Sequence, residues 1–142
     1  MILLENIYIR GIVAASISLV TYLFGGLDAL LSALIAMIII DFISGFIKAL
    51  VLKELASDKM LIGGAKKIGI MSIVAVSNII DSIMEMGGLL RSITISYFIA
   101  SEGISLLENW SLLGLPVPQK LRNILALLQG DEKEKKKEKC EG

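Results

Sequence analysis

The sequence predicts an all-α integral membrane protein: a bundle of four transmembrane helices plus a short C-terminal amphipathic helix and a charged tail. Apolar residues make up 55% of the 142 residues, and the mean hydropathy is +0.77. They cluster in four stretches with few charges, at residues 7–24, 27–50, 68–84 and 89–107. A helix needs about 20 mostly apolar residues to cross a bilayer core. Too little chain remains for a soluble domain of any size, so we expect the protein to act in a membrane.

The first stretch begins near the N-terminus, where a signal peptide would also lie. Residues 1–6 carry no positive charge, and no clear Ala-x-Ala cleavage site follows the stretch, so we expect a retained span. Tyr8 and Phe24 bracket it, as aromatic residues do at the two membrane interfaces. Arg10 lies close enough to one end to extend toward the headgroups.

Short polar segments separate the four stretches. Gly25-Gly26 and Gly87-Gly88 predict two tight turns, and the polar residues 53–67 predict a longer loop between the second and third spans. Glu108-Asn109-Trp110 is typical of the water-side end of the fourth span.

Residues 111–130 predict a proline-containing turn and an amphipathic interfacial helix. Pro116 and Pro118 prevent the fourth helix from continuing. Beyond them a single apolar stripe recurs at helical spacing, formed by Leu121, Ile124, Leu125 and Leu128. Such a helix lies on the membrane surface or packs on the bundle, and the sequence leaves both open. Residues 131–142 form a mixed-charge tail that we expect to be disordered.

The basic residues predict the orientation. They concentrate in the loop between the second and third spans, at Lys53, Lys59, Lys66 and Lys67, and after the fourth span. Cytoplasmic loops carry an excess of lysine and arginine. Four spans place both basic regions on one side, whereas three spans place them on opposite sides. We therefore expect an even number of spans and both termini in the cytoplasm.

A few polar residues interrupt the apolar stretches. Asp41, Ser44, Gly45 and Lys48 share one face of the second span, and Glu102 lies inside the fourth. Charges in hydrocarbon are costly, so these side chains should face protein or water. We predict that Lys48 pairs with Glu102. The alternatives are that both only extend to the interface, and that Asp41 has a purely structural role.

The residue types argue against several functions. The sequence contains no histidine, and its one cysteine is Cys140, so we expect no cofactor, no metal site and no enzyme. Residues 63–67 lack the spacing of a phosphate-binding loop. The formal net charge is zero, which gives no indication of nucleic-acid binding.

Three segments resemble a known family. They are Asp41-Phe-Ile-Ser-Gly45, the basic residues 53–67, and residues 102–121, which contain Glu108, Asn109, Pro116 and Pro118. Together they resemble phage holins of the toxin-secretion/phage-lysis type (holin family 4), found in phages of Gram-positive bacteria and beside clostridial toxin genes. Gln119 departs from the pattern, where a charged residue is expected. The first 40 residues resemble the family only in being hydrophobic.

The resemblance implies a lysis function. Holins assemble with copies of themselves in the host cytoplasmic membrane and open lesions, which collapse the potential and let an endolysin or toxin reach the wall. From their shared face and depth in the spans, we expect Asp41, Ser44, Gly45, Lys48 and Glu102 to mediate oligomerisation or line the lesion. A small transporter or ion-channel subunit is the main alternative, although no inverted repeat is evident. A non-conducting scaffold that recruits a partner through its tail is the third.

Overall fold

A computed structural model describes the backbone of residues 2–129 and the side chains of residues 5–128. The predicted charged tail, 131–142, lies outside the described residues. The described chain is all-helical, with short turns between five helices: α1 (Ile2–Phe24), α2 (Ala29–Val51), α3 (Ser57–Ile83), α4 (Leu89–Leu112) and α5 (Gln119–Gln129).

Three of the described helices are long and apolar enough to cross a membrane. They are Glu5–Phe24 in α1, Ala29–Val51 in α2 and Ser57–Ile83 in α3. Helix α4 has 24 residues, but it contains Arg91, Glu102 and Glu108 and is not among the three. The fourth span therefore stays a prediction.

Helices α2, α3 and α4 alternate in direction. Helices α2 and α4 run parallel, because Asp28 at the start of α2 bonds to Arg91 and Ser44 farther along it bonds to Asn109. Helix α3 runs antiparallel to both, since its Asp81 accepts from the Arg91 amide near the start of α4. The α1–α2 and α3–α4 turns therefore lie at the same end of the bundle.

A small apolar core lies among α2, α3 and α4. Leu31, Leu34, Ile70, Val74 and Ile95 are buried there. Most other large apolar side chains are exposed on the outside of the bundle. Such an apolar outer surface is expected of a protein surrounded by lipid.

Helix α1 is peripheral. All of its described side chains from Glu5 to Tyr22 are exposed. Near its C-terminal end, the Asn78 side chain of α3 donates to the carbonyl oxygens of Tyr22 and Leu23, each at 3.1 Å. We conclude that the attachment of α1 to the bundle is concentrated at that end.

The predicted loop at residues 53–67 is mostly helical. Helix α3 begins at Ser57, so Lys59, Lys66 and Lys67 lie on a helix and only Lys53 lies in the connecting turn. Asp58 in the first turn of α3 favours helix formation there, because a negative charge stabilises a helix N-terminus. Gly63 and Gly64, inside the predicted loop, disfavour a helix by only about 1 kcal/mol each.

Helix α5 folds back onto α4. Gly103 of α4 makes this approach close, since a Cβ atom built there would lie 3.0 Å from Leu125 Cδ1 and 3.3 Å from Met37 Cε. Leu125 is half-buried, whereas Leu121, Ile124 and Leu128 remain exposed. The helix thus packs on the bundle through one residue of its apolar stripe and leaves the rest of the stripe available to a lipid surface.

Candidate functional site

Six polar side chains from three helices form a largely buried network that extends from the middle of the bundle toward the α2–α3 turn. We call it the Lys67 cluster, and its members are Asp41, Ser44, Lys48, Lys67, Glu102 and Asn109. Four of them are at most 6% exposed: Asp41, Ser44, Glu102 and Asn109.

Lys67 of α3 lies at the centre of the cluster. Its Nζ is 2.6 Å from Asp41 Oδ2 on α2 and also forms an ion pair with Glu102 Oε2 on α4. One ammonium group therefore bridges carboxylates from two other helices. Charge-assisted hydrogen bonds of this kind are about twice as strong as neutral ones.

Asn109 of α4 connects the second half of the cluster. Its Nδ2 donates to Asp41 Oδ1 at 3.1 Å and to Ser44 Oγ at 3.0 Å. Its Oδ1 accepts from Lys48 Nζ at 2.8 Å. The amide uses both its donor and its acceptor between charged groups, which fixes its orientation.

The cluster extends from the middle of α2 to its last turn. Asp41 is the thirteenth of the 23 residues of α2, which places it about 18 Å from the first residue of that helix, whereas Lys48 lies in the last turn. Helix α2 is long and apolar enough to cross a membrane. In a helix that crosses a membrane, an ionisable residue as far from both ends as Asp41 is expensive and usually functional.

The cluster is electrically balanced and fully hydrogen-bonded. Two lysines oppose two carboxylates, so its formal charge is zero. Throughout the described residues, no buried side-chain nitrogen or oxygen lacks a hydrogen-bond partner. In the same region, no group of three or more His, Cys, Asp or Glu side chains is placed to bind a metal ion. The cluster therefore joins three helices while they are packed and becomes a polar surface if they separate.

The structure brings together most of the residues singled out on α2 and α4. Asp41, Ser44 and Glu102 lie in the cluster, and a Cβ atom built on Gly45 would lie 3.6 Å from Asn109 Nδ2. The predicted pairing of Lys48 with Glu102 is wrong, because Lys67 binds Glu102 and Lys48 binds Asn109.

Sequence reasoning missed the central lysine because it placed Lys67 in a loop. A signal was present in the spacing of the buried face of α3. Lys67 precedes a series of buried residues at intervals of three or four, namely Ile70, Val74, Ser77 and Asp81. Extending that series backward places Lys67 on the inner face.

The other predicted residues lie away from the cluster. Lys53, Lys59 and Lys66 are exposed, as are Glu108, Pro116 and Pro118. Pro116 and Pro118 lie in the turn between α4 and α5. Of the predicted C-terminal motif, only Asn109 belongs to the cluster.

A second polar cluster lies at the end of the bundle where the two short turns meet. Arg91 donates through Nη1 to Asp28 Oδ2 at 2.6 Å and through Nε to the Phe24 carbonyl at 2.6 Å. Asp81 of α3 accepts from the backbone amides of Gly88 and Arg91, at 2.6 and 2.9 Å. Arg91 thereby joins the α1–α2 turn to the start of α4.

Asp28 in this cluster lies outside the apolar spans. Its hydrogen bond with Arg91, followed by the Leu31 amide bond, lowers the pKa of Asp28 from 3.8 to about 2. The side chain is nevertheless 47% exposed, so water weakens the interaction.

Proteins with similar sequences come from both phages and bacteria. A family model described as the bacteriophage holin family matches residues 18–130. An uncharacterized protein of Listeria innocua is 39% identical over 117 residues, which cover 80% of this chain and 84% of the relative. An uncharacterized 14.9 kDa protein of Clostridium perfringens is 38% identical over 128 residues, covering 88% and 97%. A probable holin of Bacillus phage phi105 is 36% identical over 114 residues, covering 80% and 84%. No solved structure gives a significant match.

Proposed function

This chain belongs to the bacteriophage holin family, and we propose that it oligomerises in the bacterial cytoplasmic membrane and opens lesions there. The lesions dissipate the membrane potential and let an endolysin or a toxin reach the cell wall, so that the host lyses or releases the toxin. The family match confirms the resemblance seen in the sequence and begins at residue 18, well before the motif at Asp41.

The Lys67 cluster is the observation that carries this proposal. In a packed bundle its charges are covered and mutually satisfied, so the protein can accumulate in the membrane without exposing them to lipid. When α3 moves away from α2 and α4, the same groups form a polar surface. Only protein or water can cover such a surface in hydrocarbon. Oligomerisation and the opening of a water-filled lesion both satisfy that requirement.

We propose four spans with both termini in the cytoplasm. The alternating directions of α2, α3 and α4 support a fourth crossing by α4. The basic residues around the α2–α3 turn and after α4 support the orientation. Helix α4 then crosses the membrane with Glu102 covered by Lys67.

The proposal is tested by inducing the protein in a bacterium with and without a cytoplasmic endolysin. A holin stops growth abruptly and collapses the membrane potential in both strains, and it lyses only the strain with endolysin. A selective transporter or channel subunit changes ion gradients but does not release a folded enzyme. A scaffold neither changes ion gradients nor releases an enzyme. Growth that continues with an intact potential would refute the lysis function.

The role of the cluster is tested by variants that alter its charges and keep side-chain size. Asp41→Asn, Lys48→Met and Glu102→Gln are compared with wild type for the onset of lysis and the size of the complex in detergent. We expect each variant to change the onset of lysis, the size of the complex, or both. Unchanged timing and complex size in all three would leave the cluster without a role in assembly or opening.

A further inference from the structure

A cleft of about 680 Å³ lies between α2 and α3, with α4 as its inner wall. Helices α2 and α3 contact each other little, so the cleft separates them along much of their length. It begins at the α2–α3 turn, near Ala56, and extends to Ile73, about 24 Å farther along α3 by helix rise.

Small residues create this space. Gly63 and Gly69 line the cleft, and a Cβ atom built on either would meet no atom within 4 Å. Both glycines therefore face open space, and a side chain at either position would occupy part of the cleft.

The end of the cleft near the turn is basic. Four lysines line the cleft against three carboxylates, those of Asp41, Glu54 and Glu102. Lys67 is paired with two of these acids. Lys59 and Lys66 are exposed, and neither forms an ion pair with any residue in the described part of the chain. These two ammonium groups are available to an anion.

At the deeper end the inner wall carries the mutually paired Asp41, Lys67 and Glu102, whereas the outer rim is apolar and faces outward from the bundle. This rim is formed by Phe42, Phe46 and Ile73, which line the cleft and remain 43%, 39% and 51% exposed. A ligand with a charged head and a hydrocarbon chain matches this gradient.

We propose that the cleft binds one anionic phospholipid. The headgroup phosphate lies between Lys59 and Lys66, and an acyl chain lies along Phe42, Phe46 and Ile73. Two features favour this occupant: the match of charge at the mouth, and the continuity of the apolar rim with the lipid-facing surface of the bundle. Basic pockets between membrane helices commonly bind anionic headgroups.

The test is native mass spectrometry of the full chain in detergent, with dioleoyl phosphatidylglycerol or dioleoyl phosphatidylcholine added. These lipids share their chains and differ in headgroup charge. We expect the phosphatidylglycerol adduct to dominate in wild type. In the Lys59→Gln/Lys66→Gln variant its affinity should fall about 25-fold, since each lysine beside an anionic lipid contributes a factor of about five.

Two further comparisons separate the headgroup from the chain. Lys53→Gln/Lys120→Gln removes two lysines that do not line the cleft and should retain the adduct. Gly69→Leu fills the apolar end and should lose the adduct, with Gly63→Leu as a second filling variant. Circular dichroism confirms that each variant is folded.

Several results would overturn the proposal. One is equal binding of phosphatidylglycerol and phosphatidylcholine by the wild-type protein. Another is an equal loss of phosphatidylglycerol affinity in Lys59→Gln/Lys66→Gln and in Lys53→Gln/Lys120→Gln. Binding of sn-glycerol 3-phosphate as tight as that of the whole lipid would show a site for soluble phosphate. A lipid-free dimer that dissociates on Gly69→Leu would show that a second copy occupies the cleft. Because no measurement here involves lysis, failure of this proposal leaves the proposed function standing.

Discussion

At the scale of single residues, Lys67 has the largest consequence for the bundle. It is the one cation of the Lys67 cluster that contacts carboxylates on two different helices, Asp41 of α2 and Glu102 of α4. Both carboxylates are nearly inaccessible, with side chains 7% and 6% exposed. Removing the ammonium group leaves two negative charges without a countercharge in a medium that solvates them poorly.

We expect Lys67→Met to lower the free energy of unfolding by about 3–5 kcal/mol, the usual cost of breaking a buried ion pair on one side. The measurement is unfolding in mixed detergent micelles followed by circular dichroism. Lys66→Met, at an exposed neighbouring position on the same helix, should change stability by less than about 0.5 kcal/mol.

Adding Asp41→Asn and Glu102→Gln to Lys67→Met should restore part of the lost free energy of unfolding, because neither carboxylate is then left without a countercharge. If Lys67→Met and Lys66→Met had equal effects, the ion pairs would not contribute to stability.

Asp28 gives a prediction about pH. Its pKa is about 2 in the folded protein and near 3.8 when unperturbed. Because the pKa is lower in the folded state, Asp28 contributes its full stabilisation at pH values above its unfolded-state pKa. This contribution is lost as the pH falls from about 4 to about 2. We expect the difference in thermal unfolding midpoint between wild type and Asp28→Asn to be constant above pH 5 and to shrink toward zero near pH 2. A difference that does not vary between pH 2 and pH 6 would exclude the Arg91 interaction as its cause.

At the scale of helices, the position of α5 depends on a missing side chain. Gly103 is buried on α4, and both Leu125 of α5 and Met37 of α2 lie within 3.3 Å of where its Cβ atom would be. A Cβ atom alone displaces the ends of these two side chains by a few tenths of an ångström, and a branched side chain weakens the packing of Leu125 on α4 further.

We therefore expect Gly103→Val to increase amide hydrogen exchange throughout α5, measured by mass spectrometry in detergent. Gly64→Val is the matched control, since it makes the same change within a helix where no atom lies within 4 Å of the added Cβ. Exchange in α5 that is the same in both variants would show that α5 does not depend on this contact.

The sequence predicted the helices better than their polar contacts. Apolar length located α1, α2 and the start of α4 to within a few residues, because burial in lipid requires it. The start of α3 was misplaced because its first turns are polar, and polarity alone does not distinguish a loop from a helix whose lysines face a cleft. The sequence also could not predict which lysine binds Glu102. Whether Lys48 or Lys67 reaches this carboxylate depends on the relative positions of α3 and α4 along their axes.

At the scale of the whole molecule, polar contacts join the first four helices at two places along their length. Arg91, at the start of α4, bonds to Asp28 and to the carbonyls of Phe24 and Gly26 in the α1–α2 turn. The Lys67 cluster joins α2, α3 and α4 a second time, from their middle toward the α2–α3 turn. The apolar core lies among the same three helices.

The proposed topology predicts which positions an impermeant thiol reagent reaches in intact cells. We expect Cys140 to be unlabelled until the membrane is permeabilised. In a Cys140→Ser background, Leu27→Cys and Met86→Cys, in the two turns at the Arg91 end, should be labelled from outside. Leu55→Cys, in the α2–α3 turn, should be protected. Labelling of Leu55→Cys and protection of Cys140 in the same cells would indicate three spans.

The order of the cluster residues along the chain has a consequence for biosynthesis. Asp41 is made first, its partner Lys67 is made 26 residues later, and Glu102 follows 35 residues after that. During translation Asp41 therefore waits for a helix that the ribosome has not yet produced. Under the proposed topology an unpaired charge is costly in the hydrocarbon, so the pairing of Asp41 with Lys67 favours integration of α2 together with α3. Glu102 then arrives when its partner is already in place.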